Sequence, residues 1–182
     1  MERSIGIVEF RSIAMGIGAV DTIVKTSDVR ILDAKTICPG KYYIIFAGSV
    51  GAIKSAAQAV REQYNDFIID LGELSNVYPE MFYAVSQTSE IKKLGAIGVI
   101  ETMTSPSVLK AADSAIKATD VELVEIRIAR AMGGKNICIL TGDVSSVEES
   151  VRVGIQYAQK NGFLIDWQGI PSPHEDLYRA IL

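Results

Sequence analysis

The stretch Ile5-Gly6-Ile7-Val8-Glu9 returns as Ile97-Gly98-Val99-Ile100-Glu101, 92 residues further along the chain. The same offset pairs Ala19 with Ala111, Asp21 with Asp113, Lys25 with Lys117, Asp28 with Asp120 and Val29 with Val121. Past residue 38 the offset becomes 94, pairing Gly40 with Gly134, Lys41 with Lys135, Ile45 with Ile139, Gly48 with Gly142 and Val50 with Val144. Two residues are therefore inserted before Gly134. Shared apolar periodicity alone would not also preserve Asp, Lys and Gly positions, so the chain is a tandem duplication. The copies occupy 1–88 and 95–182, joined by a short polar linker over 87–94.

Each copy carries the same order of elements. In the first, Ile5 to Phe10 reads as a strand and Ala14 to Thr26 as a helix with Ile17, Val20, Ile23 and Val24 at helical spacing. Val29 to Ile37 and Lys41 to Gly48 are β-rich runs around a Pro-Gly turn and read as a hairpin. Val50 to Tyr64 is an Ala-rich helix, Phe67 to Leu71 a strand, and Pro79 to Val85 a short helix opened by proline. The second copy gives Ala96 to Thr102, Pro106 to Ala118 with Ser105 as N-cap, Val121 to Ala131, Lys135 to Gly142, Val144 to Lys160, Phe163 to Gln168 and His174 to Ile181. The order β-α-β-β-α-β in each copy predicts two tandem split βαβ (ferredoxin-like) domains, an α/β chain of the α+β kind.

Composition narrows the function classes. Hydrophobic residues make up 48% of 182, enough for a sizeable core. The net charge is −4 with no basic run, so no nucleic-acid partner is expected. No apolar run is long enough to span a bilayer and the N-terminus lacks a signal-peptide layout, which predicts a cytoplasmic chain without a membrane partner. One histidine, His174, makes a His-based metal site or a Ser-His-Asp triad improbable within one chain. With no nucleophile beside a base and no cofactor fingerprint, no enzyme is expected. Gly133-Gly134-Lys135 lacks the spacing of a phosphate loop and precedes a strand, so it reads as a flexible turn. Glu9 and Glu101 sit at equivalent places in different copies and read as structural pairs rather than an acid–base couple. The two cysteines differ: Cys138 lies in the apolar run Ile137-Cys138-Ile139-Leu140 and reads as core, whereas Cys38 precedes Pro39-Gly40 at a hairpin tip. On its residues alone, Cys38 is either an unliganded thiol on a turn or a ligand.

The pattern Ile-Gly-x-x-Glu, Ala-x-Asp-x-x-x-Lys, a glycine turn with lysine, Gly-Asp-Val-x-x-Val (Gly142 to Val147), and Ile170-Pro171-Ser172-Pro173-His174 resembles the bacterial microcompartment shell domain. It covers essentially the whole chain, twice. Lys35-Thr36-Ile37-Cys38-Pro39-Gly40-Lys41 and the Ile-Pro-x-Pro-His-Glu ending resemble the T-type trimeric tandem group of propanediol-utilisation compartments.

This resemblance implies a homotrimer forming a pseudo-hexagonal tile in a compartment shell, beside neighbouring shell proteins and an encapsulated redox enzyme. It implies a central opening lined by the second-to-third-strand turns: Thr36, Ile37, Pro39, Gly40 and Lys41 from one copy, and Ala131, Met132, Gly133 and Gly134 from the other. It implies that Cys38 from each of three chains holds one [4Fe–4S] cluster in that opening, for electron transfer or cluster delivery, and that Lys25 and Lys117 are tile-edge residues. Ser172 stands where the family often has an edge arginine. The competing expectation is a small-molecule sensor of tandem ferredoxin-like domains without a metal.

Overall fold

The computed structural model describes residues 4–91, 94–129 and 132–181. The chain resolves into two compact units that do not follow the repeat boundary. One comprises Met1–Tyr78, Thr104–Pro106 and Ala129–Gly134; the other comprises Pro79–Met103, Ser107–Ile128 and Lys135–Leu182. Two short pieces of the second copy are thus built into the first unit.

The first unit runs β1 (Ser4–Phe10), α1 (Ile13–Thr26), β2 (Val29–Ile37), β3 (Lys41–Gly48), α2 (Val50–Tyr64), a single 3-10 turn (Asn65–Phe67) and β4 (Ile68–Ser75). Its four strands form an antiparallel sheet in the order β2-β3-β1-β4. Helix α1 starts where the Ser12 side chain accepts the Met15 amide, and α2 where Ser49 accepts the Ala52 amide, each filling a donor the first turn leaves open. The helices turn Ala19 and Ile23 (α1) and Ile53, Ala56 and Val60 (α2) onto Val8, Phe10, Ile44 and Phe46 of the sheet, and this is the core. Truncating one of these large side chains, such as Phe46, to alanine costs about 3–5 kcal/mol. Gly6 faces the Phe46 ring so closely that a Cβ would stand 2.2 Å from it, so the repeated Ile-Gly of both copies is a packing requirement. In the second copy Gly98 meets Val151 and Leu140 in the same way.

The second unit holds α3 (Pro79–Val85), β5 (Ala96–Thr102), most of α4 (Ser105–Ala118), β6 (Val121–Arg127), β7 (Asn136–Gly142), α5 (Val144–Lys160), β8 (Leu164–Ile170) and α6 (Glu175–Ile181). Its sheet order is β6-β7-β5-β8, the counterpart of the first. Even the irregularities repeat: the register shifts at Ile31/Asp33 and Leu123/Glu125, and again at Glu9/Phe10 and Glu101/Thr102. Helix α3 packs on β6, and Gln87 just beyond it donates to Glu125 at 2.6 Å. Leu177, Tyr178 and Ile181 of α6 pack on the cluster of Ile97, Val124 and Ile139.

Most elements lie where the sequence places them. Ser105 is a correction: it is the first residue of α4 rather than its N-cap, and its amide takes a carboxylate from the first copy. Strand β6 stops at Arg127 rather than Ala131, because the following segment leaves the sheet and Ala129–Gly134 joins the first unit. Strand β4 runs on to Ser75, past the expected Leu71, by pairing Gly72 to Ser75 with β1.

Candidate functional site

The two hairpin tips meet within the first unit. Strand β2 ends at Ile37 and β3 begins at Lys41, leaving a three-residue turn of Cys38, Pro39 and Gly40. The Cys38–Pro39 peptide is cis and Gly40 has φ 77°. The amide of Cys38 donates to the Ala129 carbonyl at 3.3 Å, and Gly134 lies against Cys38. A Cβ on Gly134 would stand 2.9 Å from the Cys38 carbonyl oxygen, and its φ of 87° is one that residues with side chains rarely adopt. Gly133 also has positive φ, with open space where a Cβ would be. The second copy's glycine pair therefore lets its chain run close beside the first copy's tip.

Of the residues expected at the opening, Thr36, Cys38, Pro39, Gly40 and Gly133 are exposed and Met132 is half-buried. Ile37 and Gly134 are buried. Ala131 lies outside the described residues. Lys41 is turned inward: its ammonium sits 2.7 Å from Glu9 Oε1. Cys138 is fully buried in the core on β7, and desolvation pushes its thiol up to about 12. Among the described residues no group of three or more potential ligands stands together. Within one chain, an iron–sulfur cluster therefore has only the Cys38 thiol, against the four thiolates such clusters usually take. Cys38 is exposed on a tight tip beside Gly40, whose Cβ position is open space, so its thiol is accessible from outside the chain.

A polar cluster stands behind the tip. Glu9 is fully buried on β1; its Oε1 takes Lys41 and its Oε2 accepts the Ser105 amide at 2.6 Å. Beside it on β4, Asp70 accepts the Thr104 hydroxyl at 2.6 Å. In the second unit Glu101 pairs with Lys135 at 3.1 Å, as the repeat leads one to expect. Nothing in the sequence signals that Glu9 and Asp70 would hold residues 104 and 105, since the Glu9–Ser105 bond spans 96 positions.

The two edge lysines each follow an aspartate four residues earlier on one helix face. Lys25 is exposed beside Asp21 at 2.6 Å, and Lys117 is less exposed beside Asp113 at 2.7 Å. Burial pushes the Asp113 carboxyl above its ordinary range, opposed by the hydrogen bond and charge of Lys117. At the C-terminal end, His174 Nδ1 accepts the Asp176 amide at 3.2 Å, so this residue sits at the start of α6. Trp167 on β8 is half exposed, while the Tyr178 hydroxyl donates to the Gly95 carbonyl. Among the described residues no helix is long and apolar enough to cross a membrane.

Comparison with known proteins gives consistent matches. The BMC domain model matches residues 4–77 and again 96–173. The bacterial microcompartment shell protein PduT of Citrobacter freundii is 36% identical over 182 residues, covering 100% of this chain and 99% of that one. The carboxysome assembly protein CcmO of Synechococcus is 28% identical, covering 98% of this chain and 68% of its own length. A crystal structure of a microcompartment protein from Desulfitobacterium hafniense superposes with a TM-score of 0.85 at 44% identity, covering 97% of this chain and 98% of that one.

Proposed function

The chain belongs to the BMC domain family as a structural shell protein of the PduT type, and on that premise we propose that three copies close into a pseudo-hexagonal tile with Cys38 around its axis. Each copy contributes two BMC domains, bounded at 1–88 and 95–182. The opening is lined by Thr36, Ile37, Cys38, Pro39, Gly40 and Lys41 together with Ala131, Met132, Gly133 and Gly134. Three Cys38 thiolates hold one [4Fe–4S] cluster there, leaving one iron without a protein thiolate. The cluster supplies one-electron chemistry when bound, for electron transfer across the shell to an encapsulated redox enzyme, or for cluster delivery. The chain's own residues act by placement: the short turn presents the thiol, Gly134 lets the second domain's loop pass close to the turn, and the buried Glu9–Lys41 pair anchors the strand behind it. Neighbouring tiles meet through the edges that carry Lys25 and Lys117. The tile is a barrier element and not an enzyme.

The observation that carries this reading is the exposed Cys38 thiol on a tight tip, with Gly134 of the second domain against its backbone. Anaerobic reconstitution with iron and sulfide, followed by metal analysis and mass measurement, tests it. The expected product is brown, trimeric and holds four irons per trimer, and Cys38→Ser is colourless and still trimeric. A Cys38→Ser protein with unchanged iron would remove the cluster assignment; a monomeric wild type would remove the tile.

A further inference from the structure

The cluster behind the tip is a clamp on the start of a helix. Glu9 and Asp70 face each other across β1 and β4, and they hold the Ser105 amide and the Thr104 hydroxyl, the first helical residue of α4 and the one before it. Carboxylates there meet the unfilled N–H groups and the positive end of the helix. All four residues are buried, each with at most 6% of its surface exposed.

The duplication supplies every part of a second clamp, in two separate places. Glu101 and Asp166 face each other across β5 and β8 in the register that Glu9 and Asp70 have across β1 and β4. Glu101 is paired with Lys135 as Glu9 is with Lys41. Yet Glu101 is 28% exposed where Glu9 is sealed, and Asp166 is exposed where Asp70 is buried. The helix start that corresponds to Thr104-Ser105 is Ser12-Ile13: α1 and α4 have the same length and begin 92 residues apart. That start is open too. Ile13, Met15 and Ile17 are exposed apolar residues on α1, whereas their counterparts Ser105, Ser107 and Leu109 are buried.

We propose that Glu101 and Asp166 receive the start of α1, Ser12 and Ile13, from a second copy of this chain. Asp166 accepts the Ser12 hydroxyl and Glu101 accepts the Ile13 amide, while Ile13, Met15 and Ile17 are covered in the same contact. Each copy offers one helix start and one carboxylate pair, so the contact is head-to-tail and propagates until a ring closes. It rests on the ring-forming reading above and names the residues that join one copy to the next.

The test is the mass of the full chain across a dilution series, by sedimentation or native mass spectrometry. It uses the wild type, Glu101→Ala, Asp166→Ala, Ser12→Ala, the Ser12→Ala/Asp166→Ala double variant and Ser12→Thr. Losing a hydrogen bond to an ionised group weakens the contact by roughly tenfold or more per interface. Glu101→Ala and Asp166→Ala are therefore expected to dissociate at correspondingly higher concentration with unchanged circular dichroism. Ser12→Ala also removes the cap of its own helix, so the double variant is decisive: with Asp166 already absent, losing Ser12 adds less than it does alone. Ser12→Thr, which copies Thr104, retains the wild-type oligomer. A wild-type trimer whose dissociation is untouched by Glu101→Ala and Asp166→Ala, or whose Ser12 and Asp166 losses simply add, overturns the clamp and leaves the tile standing. A dimer that is sensitive to these variants supports the clamp and overturns the three-copy tile. A monomeric wild type at every concentration overturns both.

Discussion

Gly134 approaches Cys38 so closely that a β-carbon on it would lie 2.9 Å from the Cys38 carbonyl oxygen. The contact joins the tip of one copy to the loop of the other, and two requirements fall on the same residue, since Gly134 also has φ 87°. Gly134→Ala is expected to destabilise the chain by about 1–3 kcal/mol from backbone strain, with the crowding of Cys38 added to it. Chemical denaturation measures the loss, and Gly133→Ala, with positive φ but open space at its Cβ, is expected to lose less.

The two thiols are expected to separate by reactivity. In the native metal-free protein a thiol-specific reagent titrates one cysteine per chain, Cys38; Cys138 reacts only after denaturation, because burial holds its thiol up near 12. Two fast-reacting thiols in the native state would contradict the placement of Cys138 in the core of β7. Loading with iron and sulfide is expected to protect Cys38, and a chelator to restore its reactivity.

Glu9→Ala is expected to cost about 3–5 kcal/mol, because it removes both the 2.7 Å counter-charge of the largely buried Lys41 ammonium and the acceptor of the buried Ser105 amide. Equilibrium unfolding measures it. The Glu9→Ala/Lys41→Met double variant recovers part of the loss, since an apolar residue needs no counter-charge.

Stability is expected to carry a pH signature from Asp113. Desolvation raises its folded pKa above the ordinary 3.8, so the folded state holds this proton more tightly than the unfolded chain does. The favourable contribution is complete below the ordinary value and is lost as pH rises through the folded pKa. Asp113→Asn does not titrate, so the wild type is expected to lose stability relative to this variant as pH rises from the ordinary 3.8 through its raised folded pKa. Urea unfolding of both proteins at several pH values checks the sign; a wild type that gains on the variant as pH rises would contradict it.

Lys25→Ala is expected to leave the melting temperature within about 2 °C, since an exposed i,i+4 ion pair contributes roughly 0.3–0.5 kcal/mol. Its effect belongs at tile edges: the variant keeps its oligomeric state and loses extended sheets by electron microscopy. Sheets indistinguishable from the wild type would remove Lys25 from the edge.

The fold was largely legible because duplication prints each element twice. Gly6 and Gly98 recur because each faces a large side chain of the neighbouring strand. Strand β4 extends beyond its apolar run because the ladder with β1 carries Gly72 and Ser75, turn-like residue types, as strand. Apolar Ile128 and Ala129 suit a strand by residue type, yet β6 ends at Arg127 and Ala129 accepts the Cys38 amide instead. In the candidate site the exposed thiol and the glycine turn were visible in one dimension. The hold of Glu9 and Asp70 on residues 104 and 105 was not, because a contact between distant segments leaves no spacing for periodicity to detect.

The two hairpin tips are unequal: three residues with a cysteine in one copy, a longer glycine-bearing connector in the other. Gene fusion makes that inequality permanent. In any ring built from this chain, a residue placed in the short tip appears once per polypeptide instead of once per domain. Selection is thereby free to dedicate alternate positions around a channel to different tasks, a freedom that a ring of identical single domains does not have.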